Sequence, residues 1–290
     1  PNPNVDGLAY IDDFEGARDS YSLGIMRENW TLSSQPVGLD STRQRARLIW
    51  YNPWNTVKTN EIWDREVEAA DQGTHTLWLN YAPDKLDRRN GIAPTDSVSF
   101  DPADCWGGIM RYMTAGSNNQ DDAQLLELRV LGYKGILHVD MGNISEDMNG
   151  TGYLETEDVP DIGGYYNNII DPGEDIGIDK AKNSDEIGYD QTANPDPNGD
   201  RWYYTEGSDD YSHINGTEDN ALDPNRSGKP DTEDLSKNNS IDKTNAYFSF
   251  AIDLERGTFL VENSEFNNWR TFRVPIRDSS ALDTVVNTPS

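Results

Sequence analysis

The chain has 290 residues, 52 of them acidic and 24 basic, and its formal net charge is −28 at pH 7. This acidity excludes nucleic acid as a favoured partner, because phosphate binding needs a basic face, and it suits multivalent cations or an extracellular medium. Cys105 is the single cysteine, so no internal disulfide can form, and no apolar run of about 18 residues predicts a membrane-spanning helix.

Short segments that alternate between apolar and polar side chains dominate the first half of the chain. Such alternation, with turn residues between the segments, is typical of half-buried β-strands. It predicts strands at residues 8–14, 45–51, 74–81, 106–113, 123–131 and 135–141. Residues 61–71 are predicted to form a short helix, and residues 82–96 are predicted to form a polar loop.

Strand patterns resume at residues 247–254 and 269–276, and the polar tail 278–290 is predicted to be frayed. Short strands without a long helix predict an all-β protein, a galactose-binding-like β-sandwich of the jelly-roll type. We expect one domain over residues 1–290, with sandwich strands from 6–142 and 246–277 and an acidic insertion at 143–245. The alternative is two domains divided near residue 143. Since the chain starts at Pro1 without a leader peptide, we expect a mature fragment or an excised domain.

The insertion holds 25 acidic and 7 basic residues, which gives it a net charge of −18. One spacing of polar side chains and turn residues, at positions 1, 3, 5, 6, 9 and 12 of a twelve-residue window, recurs three times in it. The first window contains Asp147, Asn149, Thr151, Gly152, Glu155 and Asp158; the second contains Asp223, Asn225, Ser227, Gly228, Asp231 and Asp234; the third contains Asp234, Ser236, Asn238, Asn239, Asp242 and Asn245.

This spacing is typical of a calcium-binding loop. Ca²⁺ takes 6–8 oxygen ligands, which a short loop supplies from alternate side chains if the chain turns sharply in the middle. Glycine at position 6 permits the left-handed backbone of that turn, and asparagine tolerates it. We predict Ca²⁺ as the cofactor, with one ion in the Asp223 window, a second in the window that begins at Asp234, and the Asp147 window as third choice. The alternative is that Asp, Asn, Ser and Gly only reflect the composition of loops.

The tandem pair that shares Asp234 resembles the acidic calcium repeats of thrombospondin-type and dockerin-type loops, since no long amphipathic helix flanks it. Two further windows match the spacing only in part. One contains Asn194, Asp196, Asn198, Gly199 and Asp200 but has Thr205 at position 12; the other contains Asp175, Gly177, Asp179 and Glu186 but has Lys180 at the turn position. We interpret both as solvated loops rather than ion sites.

A resemblance to known families adds to this interpretation. Residues 8–16 look like the start of galactose-binding-like β-sandwich modules. A more specific series of blocks lies at residues 106–113, 126–130, 141–147, 173–179, 214–219, 230–235 and 269–276. In this order the blocks resemble the SprA (Sov) family, the very large outer-membrane proteins of type IX secretion and gliding motility in Bacteroidota. The resemblance covers nearly all of this chain, which corresponds to a small part of such a protein.

The resemblance implies a translocon, in which folded cargo crosses the outer membrane through a giant β-barrel that carries accessory domains outside its membrane-spanning wall. It implies that this chain is a non-catalytic extramembrane domain. Because calcium is plentiful outside the cell, we expect the domain on the extracellular face, with the periplasmic face as the alternative, and a rigid calcium-braced sandwich would suit a cap or docking surface. The implied partners are other parts of the translocon and secreted cargo proteins. Lys180 departs from the family's pattern, so the resemblance does not imply a metal ion in that window. The loop 82–96 departs from it as well, so the local contacts of this loop are not implied either.

No catalytic constellation is evident, and we expect no enzyme activity. His75, His138 and His213 are too dispersed for a metal-ligand motif, and the sequence has no nucleophile elbow or Gly-rich phosphate loop. Residues 12, 13 and 15 are candidates for a glycosidase pair of carboxylates, but acids at a strand end are more often turn or metal ligands.

The alternative function is that of a carbohydrate-binding module in a cell-surface protein. Jelly rolls bind sugars by stacking the sugar ring on exposed aromatic side chains, and Trp50, Tyr51 and Trp54 lie close together near a predicted loop. The competing interpretation is that these three aromatic residues belong to the core.

Overall fold

The computed structural model describes residues 21–39, 43–68, 73–92, 101–113, 123–224 and 228–287. Over these residues the chain is predominantly β, with a single α-helix of four residues, so the predicted all-β class is confirmed. The predicted strand at 8–14 lies outside the described residues, and the jelly-roll arrangement stays a prediction.

The described strands pair in antiparallel fashion. Their bounds are β1 Thr31–Leu32, β2 Ala46–Tyr51, β3 Trp78–Leu86, β4 Ile109–Met110, β5 Leu125–Leu131, β6 Ile136–Asn143, β7 Ala246–Asp253, β8 Trp269–Pro275 and β9 Thr284–Val286. The helix α1 is Thr59–Ile62, and short 3-10 turns lie at Arg27–Asn29, Arg89–Gly91, Pro102–Asp104, Asn183–Asp185, Asn220–Leu222 and Ser279–Ala281. In the described ranges the strands form the sheets β1-β4, β2-β3, β5-β8 and β6-β7-β9.

The sheets β5-β8 and β6-β7-β9 share one apolar core, which we call the Phe250 core. Its buried members are Phe250, Ile252, Phe272 and Val274. Apolar side chains of β5 and β6 pack against them, because period-2 alternation directs every second residue of each strand to the same face. The two sheets therefore pack against each other as two layers.

The acidic insertion begins and ends at neighbouring positions of one sheet. The last residue of β6, Asn143, is the register partner of the first residue of β7, Ala246. Gly142 permits this junction, because its φ is +143° and a Cβ atom on it would lie 2.4 Å from the Ala246 carbonyl oxygen. Residues 144–245 therefore form an excursion between two directly paired strands.

The excursion packs mainly against β2 and not against the Phe250 core. One cluster joins Leu32 and Trp50 to Met148 and Ile178 of the insertion, and a second joins Ile49 to residues 211 and 214. Hydrogen bonds reinforce this contact, since the guanidinium groups at positions 45 and 47 donate to backbone carbonyls of the insertion at 2.7 and 2.6 Å. These contacts place the insertion's loops beside β2.

Several predicted boundaries are wrong. In place of the helix predicted at 61–71, α1 buries its residues 59 and 62, and extended backbone follows at Trp63, while residues 69–71 lie outside the described residues. Strand β3 runs to Leu86 and includes the first five residues of the predicted loop 82–96, because backbone pairing with β2 does not require buried side chains. Residues 93–96 of that loop lie outside the described residues. The strand predicted at 106–113 is reduced to β4. The tail predicted to be frayed contains β9, which pairs with β7.

Candidate metal centre

All five windows of the insertion contain the left-handed turn at position 6. The φ angles are 79° at Gly152, 60° at Lys180, 69° at Gly199, 64° at Gly228 and 60° at Asn239. Lys180 adopts this conformation despite its Cβ atom, which costs roughly 1–2 kcal/mol. The two windows that match the spacing only in part therefore share the backbone turn of the other three.

The Asp147 window closes around its first residue. The Asp147 carboxylate accepts hydrogen bonds from the backbone N–H groups of Gly150 and Gly152, at 2.7 and 2.9 Å. The Asn149 side chain donates to the Glu155 carboxylate. These contacts bring positions 1, 3, 4, 6 and 9 of the window together.

Two other members of that window do not converge in the same way. Thr151 contributes its backbone N–H, which donates to the Asn149 side-chain oxygen at 3.1 Å. The Asp158 carboxylate accepts hydrogen bonds from the backbone of residues 167 and 168, at 3.4 and 2.6 Å. Asp158, at position 12 of this window, is therefore hydrogen-bonded to backbone that lies outside the twelve-residue loop.

The Asp223 window is described only in part, since Asn225 and Ser227 lie outside the described residues. Its first member, Asp223, is buried and forms an ion pair with Arg27 at 2.8 Å. The Asp231 carboxylate accepts a hydrogen bond from the Asn220 side chain. A protein cation and an amide thus occupy oxygen atoms that the spacing assigned to calcium.

The window that begins at Asp234 brings most of its predicted ligands together. The two oxygens of Asp234 accept the backbone N–H groups of residues 238 and 239, at 3.0 and 2.7 Å. The Ser236 hydroxyl lies 3.3 Å from both the Asp234 and the Asp242 carboxylates, and the Asn238 side chain donates to Asp242 at 3.0 Å. Asn245 is directed away, to the backbone amide at residue 145.

Three buried glutamates of the described insertion each bond to at least one backbone N–H group 74 or more positions away, and we call them the bridging glutamates. Each accepts hydrogen bonds from two backbone N–H groups. The bridging glutamates and their donors are Glu146 with residues 236 and 242, Glu157 with residues 177 and 231, and Glu233 with residues 148 and 155. Carboxylates in this role satisfy loop amides that would otherwise be buried without a partner.

A further acidic cluster consists of Asp179, Glu186 and Asp200, which we call the triad. Its ligand oxygens all lie within 4.8 Å of one another. Asp200 is 1% exposed, and within the described part of the chain neither of its carboxylate oxygens has a hydrogen-bond partner. Glu186 accepts the Asn198 N–H at 3.0 Å with one oxygen, and its Oε1 has no partner there. The triad can hold a metal ion.

The surroundings of the triad are strongly negative. Burial, together with the negative charges of the other triad acids, Asp196 and Glu218, raises the pKa of Asp200 to about 8. Burial likewise raises the pKa of the other two triad carboxyls. Arg47 also lies near Asp200, but its guanidinium donates to the Gly199 carbonyl at 2.6 Å. A bound divalent cation would reduce the repulsion among these carboxylates.

The triad was missed because it combines the two windows that we interpreted as solvated loops. Asp179 and Glu186 are positions 5 and 12 of the Asp175 window, and Asp200 is position 7 of the Asn194 window. Glu186 and Asp200 are buried, so these two members are not solvated, although residues 187–195 between them are exposed. The sequence does contain a signal for this pairing. The Asp175 window has an acid at position 12, which the Asn194 window lacks, and the Asn194 window has glycine at position 6, which the Asp175 window lacks.

The aromatic residues considered for sugar stacking have different environments. Trp50 is buried, whereas Trp54 is 56% exposed. Tyr51 stacks on Tyr211 with 4.1 Å between ring centroids. These two tyrosines line a cleft of about 470 Å³, whose walls also include Arg47 and residues 196–199.

Comparison with protein-family models and with curated protein sequences gives no match for this chain. Among the described residues, no helix has both the length and the apolar character needed to cross a membrane. The case for a function therefore rests on the residues of the chain itself.

Proposed function

We propose that this chain is a non-catalytic, calcium-stabilised extramembrane domain of an outer-membrane protein translocon, serving type IX secretion and gliding motility. The observation that carries the proposal is the excursion at residues 144–245, which leaves β6, returns to its register partner and is organised largely by buried carboxylates. The ordered SprA-like blocks, four of which lie within or at the start of this excursion, support the choice of translocon.

Calcium suits the chemistry of the insertion. Its polar side chains are mainly carboxylates, amides and hydroxyls; it has no cysteine, and His213 is its single histidine. Oxygen ligands favour Ca²⁺ or Mg²⁺ over zinc or copper. Because the binding free energy of such an ion adds to the free energy of folding, calcium would stabilise a segment of net charge −18. Loops of extracellular modules bind with Kd of about 10⁻⁴–10⁻³ M, which matches calcium outside the cell.

Exposed apolar side chains on the insertion support a role in docking. Tyr153, Ile162, Tyr165 and Ile187 are each at least 74% exposed, and they lie among acidic residues. Apolar groups with a polar rim are typical of surfaces that contact other proteins. We infer that these exposed side chains contact other parts of the parent translocon or its secreted cargo, and that calcium fixes the loops that carry them.

Titration calorimetry tests the calcium dependence. Ca²⁺ added to chelator-stripped protein should bind saturably and raise the Tm. Asp234→Ala should weaken binding in both tandem loops, because that carboxylate is common to them. Asp161→Ala, which removes an exposed acid outside the windows, is the control. Absence of both heat and a Tm change in the wild-type chain would contradict the proposal.

Deletion in the full-length parent tests the role in secretion. Because Asn143 and Ala246 are register partners, residues 144–245 can be replaced by an Asn-Gly turn that joins β6 to β7. We expect cargo secretion and surface motility to be lost while barrel assembly, measured separately, is retained. Unimpaired secretion and motility with an assembled barrel would show that the insertion is dispensable.

Carbohydrate binding is the second candidate function. It is favoured by the exposure of Trp54 and Trp78, of which Trp78 lies 5.9 Å from Tyr51 between ring centroids, beside the 470 Å³ cleft. Stacking on such aromatic faces is the usual way in which a protein holds a sugar ring. Binding on a glycan array that Trp54→Ala abolishes and Tyr165→Ala leaves intact would favour this function over the first.

A further inference from the structure

We propose that the triad is a specific Ca²⁺ site that cross-links two separate segments of the insertion, residues 175–186 and 196–200. The inference rests on the proposed function for the calcium dependence of the insertion. It goes further by assigning an ion to residues that lie outside all three fully matched windows.

The first observation is a set of buried oxygens that lack hydrogen-bond donors. Both oxygens of Asp200 and the Oε1 of Glu186 are buried and have no partner among the described residues. A buried carboxylate without a partner costs several kcal/mol, and buried polar groups in folded proteins are nearly always satisfied. Asp200 and Glu186 belong to one cluster with Asp179, in which one carboxylate oxygen of each residue lies within 4.8 Å of the others.

The second observation is the size of the cluster. Calcium–oxygen distances of about 2.3–2.6 Å make opposite ligands roughly 4.6–5.2 Å apart, whereas Mg²⁺ at about 2.0–2.1 Å needs roughly 4.0–4.2 Å. The triad's oxygens lie within 4.8 Å of one another. Three ligands of one calcium ion can lie at such separations.

The third observation is a side chain that orients two of the ligands. Asn198 donates its backbone N–H to Glu186 and its side-chain amide to Asp179, both at 3.0 Å. Glu186 keeps its Oε1 without a partner among the described residues, and the other Asp179 oxygen accepts the Ala181 N–H at 3.0 Å. Holding ligand carboxylates in place is the role of outer-shell hydrogen bonds in metal sites. The imidazole of the neighbouring His213 lies 3.4 Å from the Asp196 carboxylate. His213 is therefore not counted among the ligands of the triad, which are all carboxylate oxygens.

The site would fix one exposed loop at both ends. Residues 187–195 are exposed throughout and connect Glu186 to the segment that carries Asp200. The Arg47 guanidinium attaches that segment to β2 through the Gly199 carbonyl. An ion in the triad therefore connects the start of the loop to the body of the protein, and its loss should increase cleavage by chymotrypsin at Tyr189.

Calorimetry and terbium luminescence on the full chain test this assignment. We expect Asp200→Asn, which is nearly isosteric, to lose one equivalent of bound Ca²⁺ and the protection of Tyr189. Trp202, two residues from Asp200, should sensitise the emission of bound Tb³⁺, and Ca²⁺ should displace it. Trp202→Phe should abolish that emission while the Ca²⁺ stoichiometry by calorimetry is unchanged.

Two further variants keep the result interpretable. Asn198→Ala should weaken calcium binding by about 10- to 100-fold, the usual effect of losing an outer-shell partner, and the exposed control Asp161→Asn should bind as the wild type does. If Asp200→Asn binds as many ions as the wild type with the same affinity, the assignment is overturned while calcium stabilisation of the insertion stands. If the wild-type chain binds no calcium, both are overturned.

Discussion

The Phe250 core and the acidic insertion bury different kinds of side chain in one protein. In the Phe250 core, Ile252, Phe272 and Val274 are fully buried hydrocarbon. In the insertion the side chains buried to the same degree include Asp200 and Glu233. One region is stabilised by removal of apolar surface from water, and the other by hydrogen bonds to carboxylates.

The difference determines which conditions affect each region. Burial of an apolar side chain contributes about 1.5–3 kcal/mol and depends little on pH or on metal ions. Buried carboxylates stabilise only while their partners, protons or bound cations compensate their charge. We therefore expect the two regions to respond differently to chelators and to pH, and four measurements examine this.

The largest expected effect is in the Phe250 core. Phe272→Ala leaves a cavity between two sheets and should lower the free energy of unfolding by about 3–5 kcal/mol. Urea denaturation should give the same loss in calcium and in chelator, since no carboxylate is involved. A loss that differs strongly between the two buffers would show that the regions are not independent.

The next effect concerns a bridging glutamate. Glu233→Ala leaves the N–H groups of residues 148 and 155 without their acceptor and should cost about 2–3 kcal/mol. Glu233→Gln keeps one acceptor oxygen and should cost less. Denaturation of both variants beside Glu255→Ala, an exposed acid next to β7, provides the comparison. A loss for Glu233→Ala no larger than for Glu255→Ala would contradict the bridging role.

The third effect in order of size is a difference between the two regions in how their stability depends on pH. Burial, with neighbouring acids, raises the pKa of Asp200 to about 8 and of Glu218 and Glu233 to about 7. Between the ordinary values of about 4 and these raised ones, the folded state binds more protons than the unfolded state, so stability falls as pH rises. In chelator the Tm should drop from pH 5 to pH 8, by roughly 2–4 °C for each kcal/mol of stability that is lost. Calcium should reduce this dependence of Tm on pH. An equal dependence in calcium and in chelator would contradict the assignment of a calcium ion to the triad.

The smallest expected effect is a gain. Lys180→Gly should stabilise the chain by about 1 kcal/mol, because glycine adopts the left-handed φ of 60° without strain. Lys180→Gln removes the charge but keeps the Cβ atom, so it should leave that strain unchanged. Thermal denaturation in chelator separates the backbone effect from any gain in calcium affinity. A stabilisation by the glutamine variant equal to that by glycine would assign the effect to charge.

Much of the fold could be predicted where local pattern and burial coincide. Strands β5, β6, β7 and β8 lie within about two residues of their predicted bounds, because alternation directs Leu126, Leu137 and Phe272 into one core. Strand β3 extends further than predicted because much of it is exposed and its pairing is a backbone property. Strand β9 was missed because three residues carry too little pattern.

The candidate site was less predictable, for a different reason. The turn at position 6 is a local property, so the spacing located it even at Asn239. The triad depends on contacts between residues separated by up to 21 positions, and no window of twelve can contain Asp179 together with Asp200. The ion pair between Arg27 and Asp223 is more distant still, because its partners are 196 residues apart. Spacing within one segment carries no information about such partners.

The bridging glutamates also have a consequence for the order in which the chain folds. Glu146 bonds to residues 90 and 96 positions away, and Glu233 to residues 85 and 78 positions away. Closing loops of this length costs chain entropy before any hydrogen bond forms, and proteins with many such distant contacts fold slowly. β6 and β7 must also meet across the whole of residues 144–245, so the hairpin they form cannot nucleate locally. We therefore expect the insertion to order later than its local turns, and an immature chain to be cleaved by proteases within it until these distant contacts form.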